Sequence, residues 1–193
     1  MAALNVLVVD EFDSDRLLEQ TLREQNCEVL TLKLKELDMV QIVRTLHPDV
    51  VVLNLYSPTP DVLNMIVEIN QSYSLPVVIF AEDQQTETIN QVIKAGVSAY
   101  IVDGLEAKRI KSIVDIAIAR FKEHQALKDE LKKTKIQLED RKLVDRAKAL
   151  LMKAQGYSED QAYHALRKLA MDRNMPIGEM AKNVISMAEL FNK

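Results

Sequence analysis

Apolar residues recur along the first hundred positions in two alternating patterns. Short runs rich in Val, Ile and Leu predict buried parallel strands, because strands covered on both faces lose the apolar–polar alternation. Between these runs, apolar residues follow the three-to-four-residue spacing of amphipathic helices. Strands that alternate with helices predict an α/β fold with a doubly wound parallel sheet. The five predicted strands are Val6–Val9, Val29–Leu32, Val50–Leu53, Val77–Phe80 and Ala99–Val102.

The pattern changes after residue 105, where a long helix is predicted. No Gly or Pro occurs between Gly104 and Gly156. Apolar residues at heptad spacing predict a coiled coil and therefore a homodimer. Polar members of the seam leave a second interpretation open, a single solvated connector helix. The predicted seam is Ile110, Ile113, Ala117, Arg120, His124, Leu127, Leu131, Thr134 and Leu138.

The C-terminal segment is predicted to be all-α. Ser158 and Gln161 have the spacing of a capping box, which starts a helix. The stretch from Asn174 to Pro176 ends that helix, and a third one follows with Ile177 and Met180 on its apolar side. We therefore expect three parts: a sheet domain over 1–120, a coiled-coil linker helix over 121–140, and a three-helix module over 141–193.

Charge is distributed unevenly along the chain, whose net charge is −4. Residues 1–120 carry 10 Lys/Arg against 18 Asp/Glu, a balance of −8, whereas residues 141–193 carry 10 against 6, a balance of +4. A basic C-terminal part is compatible with a polyanionic partner and equally with a solvated helical surface.

Other sequence features indicate a cytoplasmic protein without membrane spans. The N-terminus lacks a basic region and a cleavage site, which argues against a signal peptide. The longest aliphatic run, Val50–Leu53, is far shorter than the roughly 20 residues that a bilayer requires. The single cysteine, Cys27, excludes a disulfide framework and is interpreted as a small buried apolar residue.

Candidate chemistry in the sheet domain is placed at the carboxyl ends of the predicted strands. The acidic pair Asp10–Glu11, with Asn54 and Pro58 after the third strand, resembles the response-regulator receiver family over residues 4 to about 120. The resemblance implies a flavodoxin-like fold, an acidic pair that holds Mg²⁺, and an aspartate that accepts phosphate. It also implies a Ser or Thr after the fourth strand and a Lys after the fifth.

The sequence departs from that pattern at three positions. Asn54 stands where the phosphoacceptor aspartate belongs, and an amide is a poor nucleophile. Ala81 replaces the switch hydroxyl, and Asp103 replaces the phosphate-binding lysine, while Tyr100 matches the switch aromatic. We therefore expect a pseudo-receiver that takes no phosphate and requires no cofactor. Asp10 and Glu11 remain weak metal candidates, with solvated strand ends as the alternative.

Two motifs in the C-terminal part resemble the ANTAR family over about residues 136–190. They are Ala147-Lys148-Ala149-Leu150-Leu151-Met152 and the run from Ala162-Tyr163 to Leu166-Arg167-Lys168-Leu169-Ala170-Met171. This resemblance implies a three-helix RNA-binding module that recognises paired hairpins in leader transcripts and prevents formation of a terminator.

The whole layout most resembles the nitrate/nitrite-assimilation antiterminators of the NasT type and, more distantly, those of the AmiR type. Nitrate assimilation and a nitrate-sensor repressor of the NasS type, which would hold the protein inactive, are implied by that resemblance.

The residues themselves suggest which side chains would contact RNA. RNA is held by cations on its phosphates and by flat side chains against splayed bases. Tyr163 is a stacking candidate, although a core aromatic is an equal alternative, and Met152, Met171 and Met180 are interpreted as core residues. The RNA-binding candidates are Arg141, Arg146, Lys148, Lys153, Tyr163, Arg167, Lys168 and Arg173.

Two other function classes are alternatives to antitermination. Three short basic helices can also form a DNA-binding helix-turn-helix, as in a DNA-binding response-regulator transcription factor. A phosphotransfer or catalytic protein is disfavoured, because the phosphoacceptor is absent and the sequence has no phosphate-cradling glycine loop. We therefore expect a regulator and not an enzyme.

Overall fold

A computed structural model of the chain describes residues 3–12, 16–33 and 39–191, and residues 1–125 and 126–193 form two compact units. The first unit contains five strands, β1 Leu4–Asp10, β2 Cys27–Lys33, β3 Val50–Leu55, β4 Val77–Ala81 and β5 Ala99–Val102. All five predicted strands are confirmed. They pair in parallel in the order β2-β1-β3-β4-β5, which is the doubly wound arrangement.

Helices cover both faces of this sheet. They are α1 Leu17–Glu24, α2 Met39–Leu46, α3 Pro60–Tyr73, α4 Thr86–Lys94 and the first part of α5 Ala107–Gln155. One buried cluster, which includes Leu53 and Ile66, joins the sheet to α2, α3 and α4. The other, which includes Phe80, Leu22 and Cys27, joins it to α1 and α5. Cys27 is buried, in agreement with its interpretation as a core residue.

The second unit contains the rest of α5 together with α6 Glu159–Asp172 and α7 Ile177–Phe191. Its buried cluster is small and consists of Ala147, Leu166, Ala170, Met180, Ala181 and Ile185. The predicted capping box is present, since the Ser158 hydroxyl accepts from the Gln161 amide and the Gln161 side chain accepts from the Ser158 amide. Among the described helices, none combines the length and hydropathy of a membrane span.

The predicted heptad seam was wrong at its first three positions. Ile110 and Ala117 are buried against the sheet, with Ile113 beside them, because α5 begins as the fifth covering helix of the doubly wound domain. Further along α5, Leu127, Leu131 and Leu138 are exposed by 59%, 57% and 54%. That second stretch keeps the pattern of a coiled coil, and dimerisation through it stays a prediction.

Candidate receiver site and nucleic-acid interface

The carboxyl ends of β1 and β3 bring the acidic pair next to Asn54. These strands are paired so that Asp10 lies beside Asn54. Asn54 is 6% exposed, and its side-chain amide donates to the Asp10 carboxylate across 3.0 Å. The same Asp10 oxygen accepts from the Phe12 amide at 2.9 Å. In a receiver with two facing carboxylates, a cation would neutralise their charge. Here the neutral amide of Asn54 donates a hydrogen bond to the Asp10 carboxylate instead.

The other residues of the degenerate site surround an open cleft of about 450 Å³. Ala81 and Asp103 line it with Asn54. Asp103 has a left-handed backbone, φ 48°, and its carboxylate accepts from the Gln84 side chain at 3.0 Å. Glu11 is engaged by the Tyr56 amide at 3.0 Å. A phosphoryl dianion in this cleft would meet the Asp103 carboxylate where it needs a lysine, and the Ala81 methyl group where it needs a hydroxyl.

Among the described residues, Asp10 and Glu11 are not joined by a third His, Cys, Asp or Glu side chain placed to share a metal ion. No group of three or more His, Cys, Asp or Glu side chains is arranged there to hold a metal ion. Asp10 accepts from the Phe12 backbone amide and from the Asn54 side chain, and Glu11 accepts from the Tyr56 backbone amide. Metal binding at this pair has no support beyond the two carboxylates themselves.

Asp83, which could not be identified from the sequence patterns, accepts three hydrogen bonds at this edge of the sheet. It accepts from the hydroxyls of Ser57 and Thr88 at 2.7 and 2.9 Å and from the Gln85 amide at 2.8 Å. The Ser57 hydrogen bond, followed by those of Gln85 and Thr88, lowers the pKa of Asp83. The loop after β3, the loop after β4 and the first turn of α4 are thus joined by one side chain.

Tyr100, which matches the switch aromatic, has a partner other than residue 81. Ala81 offers no hydroxyl, and the Tyr100 hydroxyl donates to the Asp83 carbonyl oxygen at 2.8 Å. Burial, and then the charge of Asp83, raises the pKa of Tyr100. A sequence signal existed for this cluster: Asp83 follows β4 closely, and loops at the carboxyl edge of a parallel sheet meet one another.

In the second unit, α6 presents a mixed stripe to solvent. Tyr163, Arg167 and Met171 are four residues apart and so share one face of the helix. Tyr163 is 40% exposed and Met171 70% exposed, whereas Ala162 and Leu166 on the neighbouring face of the helix are buried. The core alternative for Tyr163 therefore does not hold. The core interpretation holds for Met180 but was wrong for Met171 and for Met152, which is 39% exposed.

The cation candidates divide into paired and unpaired groups. Arg146 contacts Glu189 at 2.7 Å, with both side chains more than half exposed. Lys148 contacts Asp145 at 2.8 Å and Glu159 at 2.7 Å, and its side chain is only 14% exposed. Among the described residues, no ion pair engages the remaining cation candidates. These are Arg141, Lys153, Arg167, Lys168 and Arg173, all of them exposed.

Carboxylates determine how available these cations are. The hydrogen bonds that Lys148 donates to Asp145 and then to Glu159 raise the pKa of Lys148, and the one to Asp145 lowers the pKa of Asp145. Lys148 is therefore held charged by intramolecular partners, whereas no ion pair within the described ranges engages Arg167 or Lys168. Sequence spacing placed Arg167 and Tyr163 on one face, but it could not reveal that Lys148 is occupied.

Comparisons with known proteins agree with both units. A response regulator receiver domain model matches residues 6–115, and an ANTAR domain model matches residues 132–185. The transcriptional regulatory protein PdtaR of Mycobacterium tuberculosis H37Rv is 29% identical over 168 residues, covering 87% of this chain and 82% of PdtaR. A nitrate regulatory protein of Klebsiella oxytoca is 36% identical over 89 residues, which are 46% of this chain and 22% of that protein.

Solved structures are similar to the receiver part. CheY4 of Vibrio cholerae, a chemotaxis response regulator, superimposes with a TM-score of 0.52 at 15% identity over 60% of this chain and 98% of CheY4. NtrX of Brucella abortus gives a TM-score of 0.54 at 25% identity over 68% of this chain, which spans only 30% of NtrX. The parallel five-stranded sheet and the match over more than half of the sequence agree, so this chain belongs to the response-regulator receiver family and carries an ANTAR domain after its receiver.

Proposed function

We propose that this protein is a transcription antiterminator whose ANTAR domain binds hairpins in leader RNA. The observation that carries the proposal is the exposed stripe on α6, where an aromatic ring and an unpaired arginine lie side by side. Unstacked RNA bases bind flat side chains, and phosphates bind nearby cations. PdtaR, similar over most of both chains, is named a transcriptional regulatory protein.

Control by a bound partner or by a change of assembly, instead of phosphorylation, follows from the receiver site. Asn54 is not a nucleophile that could form an acyl phosphate, and Asp103 places negative charge where phosphate would bind. A signal at this domain must therefore act through its surface. The similarity to a protein named a nitrate regulatory protein supports a role in nitrate/nitrite assimilation. A nitrate-sensor repressor of the NasS type is the partner that the sequence resemblance to NasT-type antiterminators implies.

Homodimerisation through α5 is the assembly that the sequence pattern supports. Leu127, Leu131 and Leu138 leave three large apolar side chains on one exposed side of the helix. A solvated connector helix would gain nothing from them, whereas a parallel partner would bury them. Two ANTAR domains held by one coiled coil would suit an RNA element with two hairpins. The mass of the protein in solution, measured with and without RNA, tests this assembly.

A DNA-binding transcription factor is the second candidate, and one experiment separates the two. A two-hairpin leader RNA and a duplex DNA of equal length are titrated at the same salt concentration, because electrostatic binding depends steeply on salt. The proposal expects RNA to bind more tightly. Equal or stronger binding to duplex DNA would favour the second candidate.

The same titration tests the α6 stripe. Tyr163→Ala should weaken RNA binding by roughly 5- to 150-fold, which is the range found when one base loses an aromatic partner. Arg167→Ala should weaken binding and make its salt dependence shallower by roughly 0.7 to 0.9 in the logarithmic slope. Lys182→Ala is the matched control, because it removes an exposed cation from α7 outside the stripe. If this control weakened binding as much as Arg167→Ala, binding would depend on total charge alone.

A further inference from the structure

Lys148 differs from the other cation candidates in its surroundings. Its ammonium group lies 2.8 Å from the Asp145 carboxylate and 2.7 Å from the Glu159 carboxylate. The side chain is 14% exposed, whereas the other paired candidate, Arg146, is 63% exposed. A solvent-screened surface pair contributes little, but a largely covered lysine between two carboxylates is held in one place.

The local charge argues against a phosphate contact at this lysine. One ammonium and two carboxylates sum to a negative site, so an approaching phosphate would be repelled unless it displaced a carboxylate. A lysine has three N–H donors, and at least two are already directed at protein oxygens. Lys148 therefore lacks the freedom that an RNA-binding cation needs.

The positions of the two carboxylates show which helices Lys148 connects. Asp145 lies one turn before Lys148 on α5, while Glu159 is the first residue of α6. The turn between the two helices contains Gly156, whose backbone has a left-handed φ of 66°. Lys148 thus ties α5 to the first residue of α6, next to the capping box at Ser158. Tyr163 follows Glu159 after about 6 Å of helix, and Arg167 after about 12 Å.

We infer that Lys148 is a positioning residue, which clamps the first turn of α6 to α5 and so aims Tyr163 and Arg167, and that it does not contact RNA. This inference rests on the proposed RNA function for its consequence, although the clamp itself is a property of the free protein. It divides the cationic side chains of the ANTAR domain into those that bind RNA and one, Lys148, that orients α6.

Removing a carboxylate from the clamp gives opposite expectations for the two roles. If Lys148 bound phosphate, Glu159→Gln would free the lysine and remove a negative charge, so RNA binding would tighten. If Lys148 positions α6, the same change should weaken RNA binding by roughly two- to fivefold. Asp160→Asn is the matched control, since it removes an adjacent exposed carboxylate from the first turn of α6 and leaves the clamp intact. Glu159→Gln binding as tightly as Asp160→Asn would overturn the inference.

The salt dependence of RNA binding provides a second readout, which a loss of stability alone would not change. Lys148→Met should weaken binding while keeping the wild-type salt slope, unlike Arg167→Ala, because no phosphate contact is lost. Lys148→Arg should restore affinity, since a guanidinium can also bridge two carboxylates. A slope as shallow as that of Arg167→Ala would assign Lys148 to the phosphate contacts.

Amide hydrogen exchange on the free protein tests the clamp independently of RNA. Glu159→Gln and Lys148→Met should accelerate exchange at Ala162 and Tyr163, where the backbone bonds of α6 begin, and Asp160→Asn should not. Unchanged exchange in both clamp variants would contradict the inference even if wild-type protein bound no RNA. If the wild-type protein bound no RNA but both clamp variants showed accelerated exchange, the proposed function would be wrong and the clamp would still hold.

Discussion

The receiver and the ANTAR domain differ in how the packing of the core relates to the candidate functional residues. In the receiver, all six residues of β3 are buried, and two clusters cover both faces of the sheet, yet the polar set at the strand ends is no longer that of a phosphate site. In the ANTAR domain, one small cluster supports three helices, and the candidate chemistry lies on the exposed face of α6.

The difference shows where each fold can change without unfolding. Asn54, Ala81 and Asp103 stand at the ends of strands, so they can depart from the receiver pattern while the strand interiors specify the sheet. Among the described residues of the ANTAR domain, the buried cluster is small and contains one leucine, Leu166. A change in its core should therefore abolish its surface function as well.

The largest expected effect comes from Leu166→Ala. Truncating a fully buried leucine leaves a cavity and costs about 2–5 kcal/mol. We expect thermal unfolding of the ANTAR domain at a much lower temperature, measured by circular dichroism, with loss of RNA binding. Leu22→Ala is the matched control, because it truncates an equally buried leucine in the receiver. It should lower receiver stability while RNA binding persists below the unfolding transition. Wild-type RNA affinity in folded Leu166→Ala would contradict this dependence of surface on core.

A smaller effect is expected when the phosphoacceptor is restored by Asn54→Asp. The substitution replaces a donor by a carboxylate within 3.0 Å of Asp10, so two negative charges would face each other. We expect lower thermal stability that Mg²⁺ restores. Acetyl phosphate should leave no stable phosphate on the variant, measured by intact mass, because Ala81 offers no hydroxyl and Asp103 repels the dianion.

A triple variant sharpens that prediction. Asn54→Asp with Ala81→Thr and Asp103→Lys restores all three elements implied by the receiver pattern, and it should acquire phosphate where the single variant does not. Stable phosphate on the wild-type chain would overturn the pseudo-receiver interpretation. Phosphate on Asn54→Asp alone would show that phosphorylation requires neither a hydroxyl at residue 81 nor a lysine at residue 103.

How much the sequence could predict depended on whether a pattern was local. Five apolar runs and one capping box are local, and each appears where it was expected. The role of Ile110 was not local, because heptad spacing cannot distinguish a helix that covers a sheet from one that pairs with another helix. The exposure of Met171 could not be predicted from a local pattern either. An apolar residue on a short helix belongs to the core only if another element packs against it.

Polar partnerships across the fold were the least predictable part of both sites. The candidate residues of the receiver edge were found from their strand positions, but the hydrogen bonds from Ser57 and Thr88 to Asp83 join segments 26 and 5 residues apart. Lys148 belongs to a motif that is visible in the sequence, whereas its partner Glu159 lies on another helix. Sequence spacing locates charged groups on an element and does not show which of them neutralise one another.

The smallest expected effect concerns the carboxylate of Asp83. Its pKa is lowered from the ordinary value of 3.8 in the folded protein, so its contribution to stability is present above that value and is lost as pH falls through the lowered pKa. Asp83→Asn keeps one acceptor oxygen for three donors and should unfold at a lower temperature than wild type at neutral pH. The gap between the two unfolding temperatures should close below pH 3.8. Glu82→Gln, an adjacent exposed carboxylate, should show no such pH-dependent gap. A constant gap between wild type and Asp83→Asn across the acid range would show that the shape of the side chain, and not its charge, holds the loops together.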